Sequence, residues 1–288
     1  MKKKPLVLLI LSAFVIIFIL FSCSSIKIRT YEMETPLLKE DTSIKIVLIS
    51  DLHSTIFGKE QIKLIEKIKE QNPDLILLAG DILDDVVPHR GTELLLAGIN
   101  TIAPIYYVTG NHEYWCREIN EIRLLLQSYQ VNILSDSYVR INIKNNYIIL
   151  AGIEDPDKER YETPGYNQNE IMERAFRELD EIDLFKILIA HRPENIETYK
   201  KYSFNLVLSG HSHGGQVRIP FIMNGLYAPN QGLFPKYAGG LYRHDEKVHI
   251  VSRGLSINPR LPRIFNNPEL VVVIIESNIL SVDINPDN

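Results

Sequence analysis

The chain has 288 residues, of which 45% are hydrophobic and 23% charged, which suits a globular domain with a full core and a further segment attached. A net charge of -5 and a pI near 5.9 give none of the basic excess that nucleic-acid binding through phosphates needs, so no nucleic-acid partner is expected. Only two cysteines, Cys23 and Cys116, argue against a disulfide framework.

Lys2, Lys3 and Lys4 precede an apolar run from Pro5 to Phe21 that only Ser12 interrupts. At roughly 17 residues the run meets the lower limit for crossing a bilayer. Three readings fit it: an uncleaved signal anchor, a lipoprotein signal with Leu20-Phe21-Ser22-Cys23 as its lipobox, or an ordinary cleaved signal. The three lysines lie before the run, and only Lys27 and Arg29 follow closely, so the charge bias places the domain outside the cytoplasm. Residues 24–43 are polar, mixed in charge and contain Pro36; they read as a tether. The expected organisation is therefore an anchor or signal over 1–23, a linker over 24–43 and one domain over 44–288.

Within that domain, Ile44 to Ile49 predicts a strand and Lys59 to Glu70 a helix with Ile62, Ile65 and Ile68 on one face. Asn72-Pro73 stops the helix. Asp74 to Ala79 predicts a strand, Thr92 to Ile102 a helix, Ile105 to Thr109 a strand and Glu118 to Ser128 a helix. This β-α-β-α-β order implies parallel strands with right-handed crossovers. Tyr138 to Ile143 and Tyr147 to Ala151 form a hairpin around Asn145-Asn146. Residues 153–169 read as a surface loop and Glu170 to Leu179 as a helix. Phe185 to Ala190, Leu206 to Ser209, Val248 to Ser252 and Leu270 to Ile275 are strand-like, with Ile279 to Val282 closing a last hairpin. Two strand groups with helices outside, the strands apolar on both faces, predict an α/β fold: a four-layer α/β/β/α sandwich of two mixed sheets.

Five short clusters punctuate these elements: Asp51-Leu52-His53, Gly80-Asp81 with Asp84, Gly110-Asn111-His112-Glu113, Ala190-His191-Arg192 and Gly210-His211-Ser212-His213. They use five of the eight histidines, and each follows a predicted strand, at the sheet edge where open α/β folds bind ligands. Carboxylate oxygen and neutral imidazole are the donors that divalent ions take. Asp51 and His53, two apart in extended backbone, leave the same face and can share an ion. The carboxylate of Asp81 has two oxygens, one for each of two ions. Asn111 adds a neutral oxygen, and His191, His211 and His213 complete two coordination shells. Two ions about 3.5–4 Å apart suit in-line attack on a phosphoryl group. His112 lies across the backbone from its neighbouring ligand, placed to stabilise phosphoryl oxygens or protonate a leaving group, with Asp84 to accept its N–H. Arg192 is either a phosphate contact or a structural ion pair.

This array resembles the calcineurin-like metallophosphoesterases from about Ile44 to Asp283. Gly214-Gly215-Gln216-Val217-Arg218, Gly232-Leu233-Phe234-Pro235-Lys236-Tyr237 and the N-terminal segment resemble the bacterial membrane-anchored branch typified by YkuE and YaeI. The resemblance implies that Asp51, His53, Asp81 and His213 bind one metal and that Asp81, Asn111, His191 and His211 bind the other. It implies His112 as the catalytic histidine with Asp84 as its partner, and manganese, iron or zinc as the two divalent ions. It further implies a membrane-associated hydrolase of phosphodiester or pyrophosphate bonds. UDP-2,3-diacylglucosamine, a lipid A precursor, is a candidate substrate.

The apolar stretch Ile219 to Phe234 either receives an acyl chain or packs against the second sheet. An outward-facing domain would favour an envelope phosphodiesterase instead, because the nucleotide-lipid is made on the cytoplasmic side. A phosphomonoesterase and a metal-binding envelope protein without catalysis are the alternatives. Oligomeric state is not legible.

Overall fold

A computed structural model describes residues 11–13, 25–257 and 262–278. Leu11–Ala13 are helical. The rest of the predicted anchor, Cys23 and the predicted strand Ile279 to Val282 lie outside the described residues. Among the described residues, no helix is long and apolar enough to cross a membrane.

Two six-stranded sheets dominate. The first contains β1 (Lys27–Thr35), β2 (Ser43–Ile49), β3 (Leu75–Ala79), β4 (Ile105–Val108), β5 (Val131–Ile133) and β14 (Glu269–Ser277), in the order β1-β14-β2-β3-β4-β5. From β2 to β5 all pairs are parallel, as the β-α-β-α-β pattern predicts. The second contains β6 (Ser137–Ile143), β7 (Asn146–Ile153), β8 (Phe185–Ala190), β9 (Leu206–Ser209), β12 (Gly240–His244) and β13 (Lys247–Val251), in the order β12-β13-β9-β8-β7-β6. A two-stranded ribbon, β10 (Tyr227–Ala228) with β11 (Gly232–Leu233), stands apart.

Strand periodicity assigns each residue to a layer. Ile44, Ile46 and Leu48 of β2 face the second sheet, where they pack with Leu150, Ile187 and Leu208. Val47 and Ile49 face the other way, onto α1 (Ile62–Gln71), α2 (Arg90–Ile99) and α4 (Ile119–Ser128). The short α3 (Asn111–Trp115) lies between α2 and α4 in sequence. Across the molecule, Met172 and Phe176 of α5 (Gln168–Phe176) cover Ile149, Leu188 and Val207. The α/β/β/α sandwich follows, held by three apolar interfaces. Each fully buried Leu or Ile in them contributes roughly 1.5–3 kcal/mol.

Three expectations need correction. Residues 27–35 are not part of a free tether: they form β1, which runs parallel to β14 along its whole length. The polar side chains that make the segment look like a linker are those of an edge strand with exposed positions. In α1 the buried side chains are Leu64, Ile65 and Ile68, and Ile62 is exposed, because a strict spacing of three drifts off a 3.6-residue stripe. Finally, of the two readings of Ile219 to Phe234, packing against the second sheet does not hold for Ile219, Phe221, Ile222, Tyr227, Leu233 and Phe234, which are exposed, whereas Met223 and Leu226 are half-buried.

Candidate metal centre

Every predicted ligand cluster follows a strand terminus. Asp51 follows β2, Asp81 follows β3, Asn111 follows β4, His191 follows β8 and His211 follows β9. The first three strands are parallel neighbours in one sheet and the last two in the other. Their C-terminal edges meet across the sandwich. His191 Nδ1 donates to Ala79 O at 2.8 Å, and the His211 amide donates to Asp51 Oδ1 at 2.9 Å.

Asp51 and His53 reach the site from left-handed backbone rather than from an extended strand. Asp51, His53, Ser54, Asp81, His211 and His213 all have φ between 46° and 67°. A side chain pays roughly 1–2 kcal/mol for that conformation. Ladder-like hydrogen bonds offset the cost: Asp51 N to Gly80 O at 3.0 Å and His53 N to Asp81 O at 2.9 Å. Glycine is required beside the carboxylates. A Cβ at Gly110 would stand 2.2 Å from Asp81 Oδ1, and one at Gly210 would stand 2.5 Å from Asp51 Oδ2.

Among the described residues three groups of donor atoms form, two of which share Asp81; the third joins His53, Asp84 and His112. In the first, Asp51, His53, Asp81 and His213 each bring an atom within 4.8 Å of the others; in the second, Asp81, His191 and His211 do so. Asn111 is buried, with its Oδ1 unpaired.

Each of the four histidines has one ring nitrogen turned outward to a partner. His53 Nδ1 donates to Asp84 Oδ2 at 2.9 Å, His191 Nδ1 to Ala79 O, and His211 Nε2 to Asn230 Oδ1 at 2.8 Å; His213 Nδ1 lies 3.2 Å from Ser256 Oγ. The opposite nitrogens face carboxylates, with His191 Nε2 3.2 Å and His53 Nε2 3.6 Å from Asp81 Oδ2, and His213 Nε2 3.6 Å from Asp51 Oδ1. The fourth inward nitrogen, His211 Nδ1, lies 3.2 Å from His191 Nε2. In each ring an outward bond that takes the N–H leaves the inward nitrogen's lone pair for a metal.

Asp51 Oδ2, His53 Nε2 and Asn111 Oδ1 are buried without a hydrogen-bond partner. Orphaned lone pairs in a dry site are costly unless a cation takes them. The donor set therefore fits divalent ions.

The two carboxylates are pushed apart electrostatically. Burial, opposed by His191 and reinforced by Asp81, raises Asp51. Burial also acts on Asp81, but His191 and His112 outweigh it and hold that group well below the usual carboxylate range.

The predicted pairing of His112 with Asp84 forms as an ion pair, while the hydrogen bond from the ring goes to the adjacent carboxylate of Asp85. His112 Nδ1 donates to Asp85 Oδ1 at 2.6 Å and lies 3.7 Å from Asp84. Asp84 is committed elsewhere: its Oδ1 accepts the Val86 and Val87 amides at 2.9 and 2.8 Å, which turns Oδ2 toward His53. Burial raises its carboxyl, but the bonds from His53 and these two amides hold it at about 2.

Glu113 and Arg192, both inside the sequence clusters, and Asn230, which no sequence signal marks, complete the site. Glu113 accepts four amides, those of Asp81, Ile82, Leu83 and Gly110, and so ties the loop after β3 to the loop after β4. Arg192 is buried and paired, with Nε 2.7 Å from Asp155 Oδ2 and Nη2 3.0 Å from Asp157 Oδ1. Its Nη1 donates to Asn230 Oδ1 at 2.8 Å, the same oxygen that holds His211. A cleft of about 260 Å³ opens over the donors, lined among others by Asp81, Asn111, His112, Trp115, Arg192 and Asn230.

Comparison with known proteins agrees with this geometry. Residues 44–215 match the model of the calcineurin-like phosphoesterase family. The chain is 30% identical over 254 residues to an uncharacterized metallophosphoesterase of Campylobacter jejuni, covering 86% of this chain and 62% of that protein's length. It is 31% identical over 240 residues to the uncharacterized metallophosphoesterase YkuE of Bacillus subtilis, covering 81% of this chain and 79% of the relative. Among solved structures, the NAD nucleotidase of Haemophilus influenzae superposes with a TM-score of 0.53 at 17% identity, over 75% of this chain and 46% of that one. That likeness is one of fold. With an ordered series of ligand residues inside a family match that spans more than half its length, the chain belongs to the calcineurin-like phosphoesterases.

Proposed function

We propose that the protein is a membrane-anchored hydrolase of phosphodiester or pyrophosphate bonds that works with two divalent ions. The observation that carries this reading is the sharing of Asp81 between two groups of donor atoms. Asp51, His53, Asp81 and His213 would hold one ion, and Asp81, Asn111, His191 and His211 the other. Bound there, the ions would supply Lewis acidity toward phosphoryl oxygens and lower the pKa of water.

The chain's own groups do the rest. His112 borders the cleft, where it can donate a proton to a leaving oxygen, and Asp85 holds its ring through Nδ1. The indole of Trp115 packs 4.5 Å from the His112 ring and limits its rotation. Arg192 also borders the cleft, but Asp155 and Asp157 neutralise much of its charge. It therefore serves chiefly to position Asn230.

The N-terminal apolar run supports anchoring, and the YkuE-like motifs support a bacterial envelope setting. A lipid-linked phosphodiester at the bilayer surface is the substrate class that fits both.

The test uses the full chain, stripped of metal and resupplied with manganese. It is assayed on bis-p-nitrophenyl phosphate, p-nitrophenyl phosphate and UDP-2,3-diacylglucosamine, beside Asp81→Ala. Manganese-dependent diester turnover that Asp81→Ala abolishes supports the reading. Faster monoester turnover would make the protein a phosphomonoesterase. Stoichiometric metal without turnover of any of the three would make it a metal-binding protein. Cleavage of the nucleotide-lipid would place it in lipid A synthesis and turn the domain toward the cytoplasm.

A further inference from the structure

Four large apolar side chains on two neighbouring segments stand in water. Phe221 is fully exposed and Ile222 is 82% exposed, with Ile219 and Phe265 each close to half exposed. Two segments carry them, and backbone pairing joins the two. Val217 bridges Ile264, the Arg218 amide donates to Ile264 O at 2.9 Å, and Ile219 bridges Met223. Soluble surfaces seldom leave such side chains clustered without a partner.

The chain itself says what lies against them. Asn267, two residues beyond Phe265, donates through Nδ2 to Ser25 O at 3.3 Å, and the Lys27 amide donates to Pro268 O at 2.8 Å. The N-terminal segment therefore enters the fold beside this cluster. The apolar run ends at Phe21, four residues before Ser25. Four residues span at most about 14 Å in any conformation. The polar layer of a bilayer is only about 5–7 Å deep on each side. If the run sits in lipid, Ser25 stands within about 14 Å of it, and the Phe265 segment, tied to Ser25 through Asn267, and the segment paired with it are kept near the bilayer surface.

Charge along β1 agrees. Its first half, nearest the anchor, carries exposed Lys27 and Arg29; its second half carries exposed Glu32 and Glu34. Basic residues are favoured beside anionic headgroups and acidic ones away from them.

We infer that Ile219, Phe221, Ile222 and Phe265 form a lipid-contacting face that seats the domain on the bilayer surface. The face deepens the anchored reading given above and rests on it. It also has a consequence for access to the site. The stretch that follows Met223 leads into β10 and β11, whose connecting turn brings Pro229 and Asn230 to the cleft. One wall of the cleft is thus continuous with the seated segment, which suits a phosphoryl group presented at the membrane surface.

The test uses the full chain and tryptophan emission. Trp115 is the one natural tryptophan and gives the baseline. Ile222→Trp places a reporter on the face, and Leu124→Trp places one at an exposed position on α4, in the helical layer. Each variant is mixed with anionic phospholipid vesicles containing brominated acyl chains, and flotation is measured on the same samples.

Flotation of the full chain, with about half of the added Ile222→Trp emission quenched and the Leu124→Trp emission unchanged, is the expected result for an indole seated roughly 5–10 Å into the interface. Flotation without quenching of Ile222→Trp would overturn the lipid face and leave anchoring intact. A blue-shifted but unquenched emission would do the same and assign the face to a second copy. Failure of the full chain to float would overturn anchoring and the face together. Diester turnover, measured in parallel, reports on the catalytic reading independently.

Discussion

Asp84 Oδ2 lies 2.9 Å from His53 Nδ1, and this bond leaves His53 Nε2, buried and unpaired, 3.6 Å from Asp81 Oδ2. One carboxylate thus sets the direction in which an imidazole offers its lone pair. Removing it should lower metal affinity rather than chemistry as such. Asp84→Ala is expected to weaken manganese binding roughly 10–100-fold, the usual effect of losing a carboxylate behind a ligating histidine. Titrating manganese into the stripped protein by calorimetry measures this. Saturating metal should restore much of the turnover. Unchanged affinity would show that His53 needs no orienting partner.

Asp85 and His112 should behave in the opposite way. Asp85 Oδ1 accepts from His112 Nδ1 at 2.6 Å, and neither residue belongs to the Asp81-sharing donor groups. His112→Ala is expected to lower kcat by roughly 10²–10⁴, the range for a general acid, with metal content unchanged. Asp85→Ala should lower kcat less, again with full metal content. Metal analysis beside kinetics separates these variants from Asp84→Ala. Loss of metal in His112→Ala would make His112 a ligand and end its assignment as the proton donor.

Asn230 links the cleft to the second donor group. Its Oδ1 accepts from both His211 Nε2 and Arg192 Nη1, each at 2.8 Å. Asn230→Ala takes the shared acceptor from both donors and frees the His211 ring. At limiting manganese the bound metal is expected to fall from about two ions to about one per chain, read by elemental analysis after desalting. A stoichiometry equal to that of the unaltered protein would show that the backbone alone fixes His211.

Much of this architecture is legible in the sequence because strand and ligand signals reinforce each other. Apolar runs such as Leu75 to Ala79 end in Gly-Asp or Gly-His pairs, and parallel pairing then brings those ends together. The donors Asp51, His53, Asp81, Asn111, His191, His211 and His213 converge for that reason. What escapes reading depends on side-chain choices between near neighbours. Asp84 and Asp85 are adjacent carboxylates, and the turn through Val86 and Val87 decides which one takes the hydrogen bond from His112. Asn230 sits nineteen positions beyond His211 in a turn with no periodic pattern, so its bond to that ring has no local signal. β1 is hidden because an edge strand with exposed positions has the composition of a linker.

Glu113 should matter for stability more than for binding. Its carboxylate accepts the amides of Asp81, Ile82, Leu83 and Gly110 at 2.7–3.1 Å. Glu113→Gln replaces one acceptor oxygen with an NH₂ that faces N–H groups. Leaving buried amides unsatisfied costs about 1–3 kcal/mol or more. In a domain of this size each 1 kcal/mol lowers Tm by roughly 2–4 °C. A calorimetric scan of the metal-stripped protein checks this without interference from bound ions. An unchanged Tm would mean that the two loops are held by other contacts.

His249 gives the fold a pH dependence of its own, apart from the candidate metal ligands. It is fully buried on β13, with Nε2 3.1 Å from Ser209 Oγ, and burial, aided by the charge of His244, lowers its pKa to about 3. The unfolded chain would protonate this ring near 6.5, so between about 6.5 and 3 the unfolded state binds more protons. The contribution is therefore fully present above about pH 6.5 and is lost progressively as pH falls toward 3. At pH 5 the loss is about 2 kcal/mol, from about 1.4 kcal/mol per pH unit over about 1.5 units. His249→Phe keeps a ring of similar bulk and cannot take up the proton. Its unfolding free energy, followed by denaturant titration of the metal-stripped protein, should fall less between pH 7 and pH 5 than that of the unaltered chain, by about this amount. Equal pH slopes for the two proteins would show that His249 is already protonated, or solvent-accessible, in the native state.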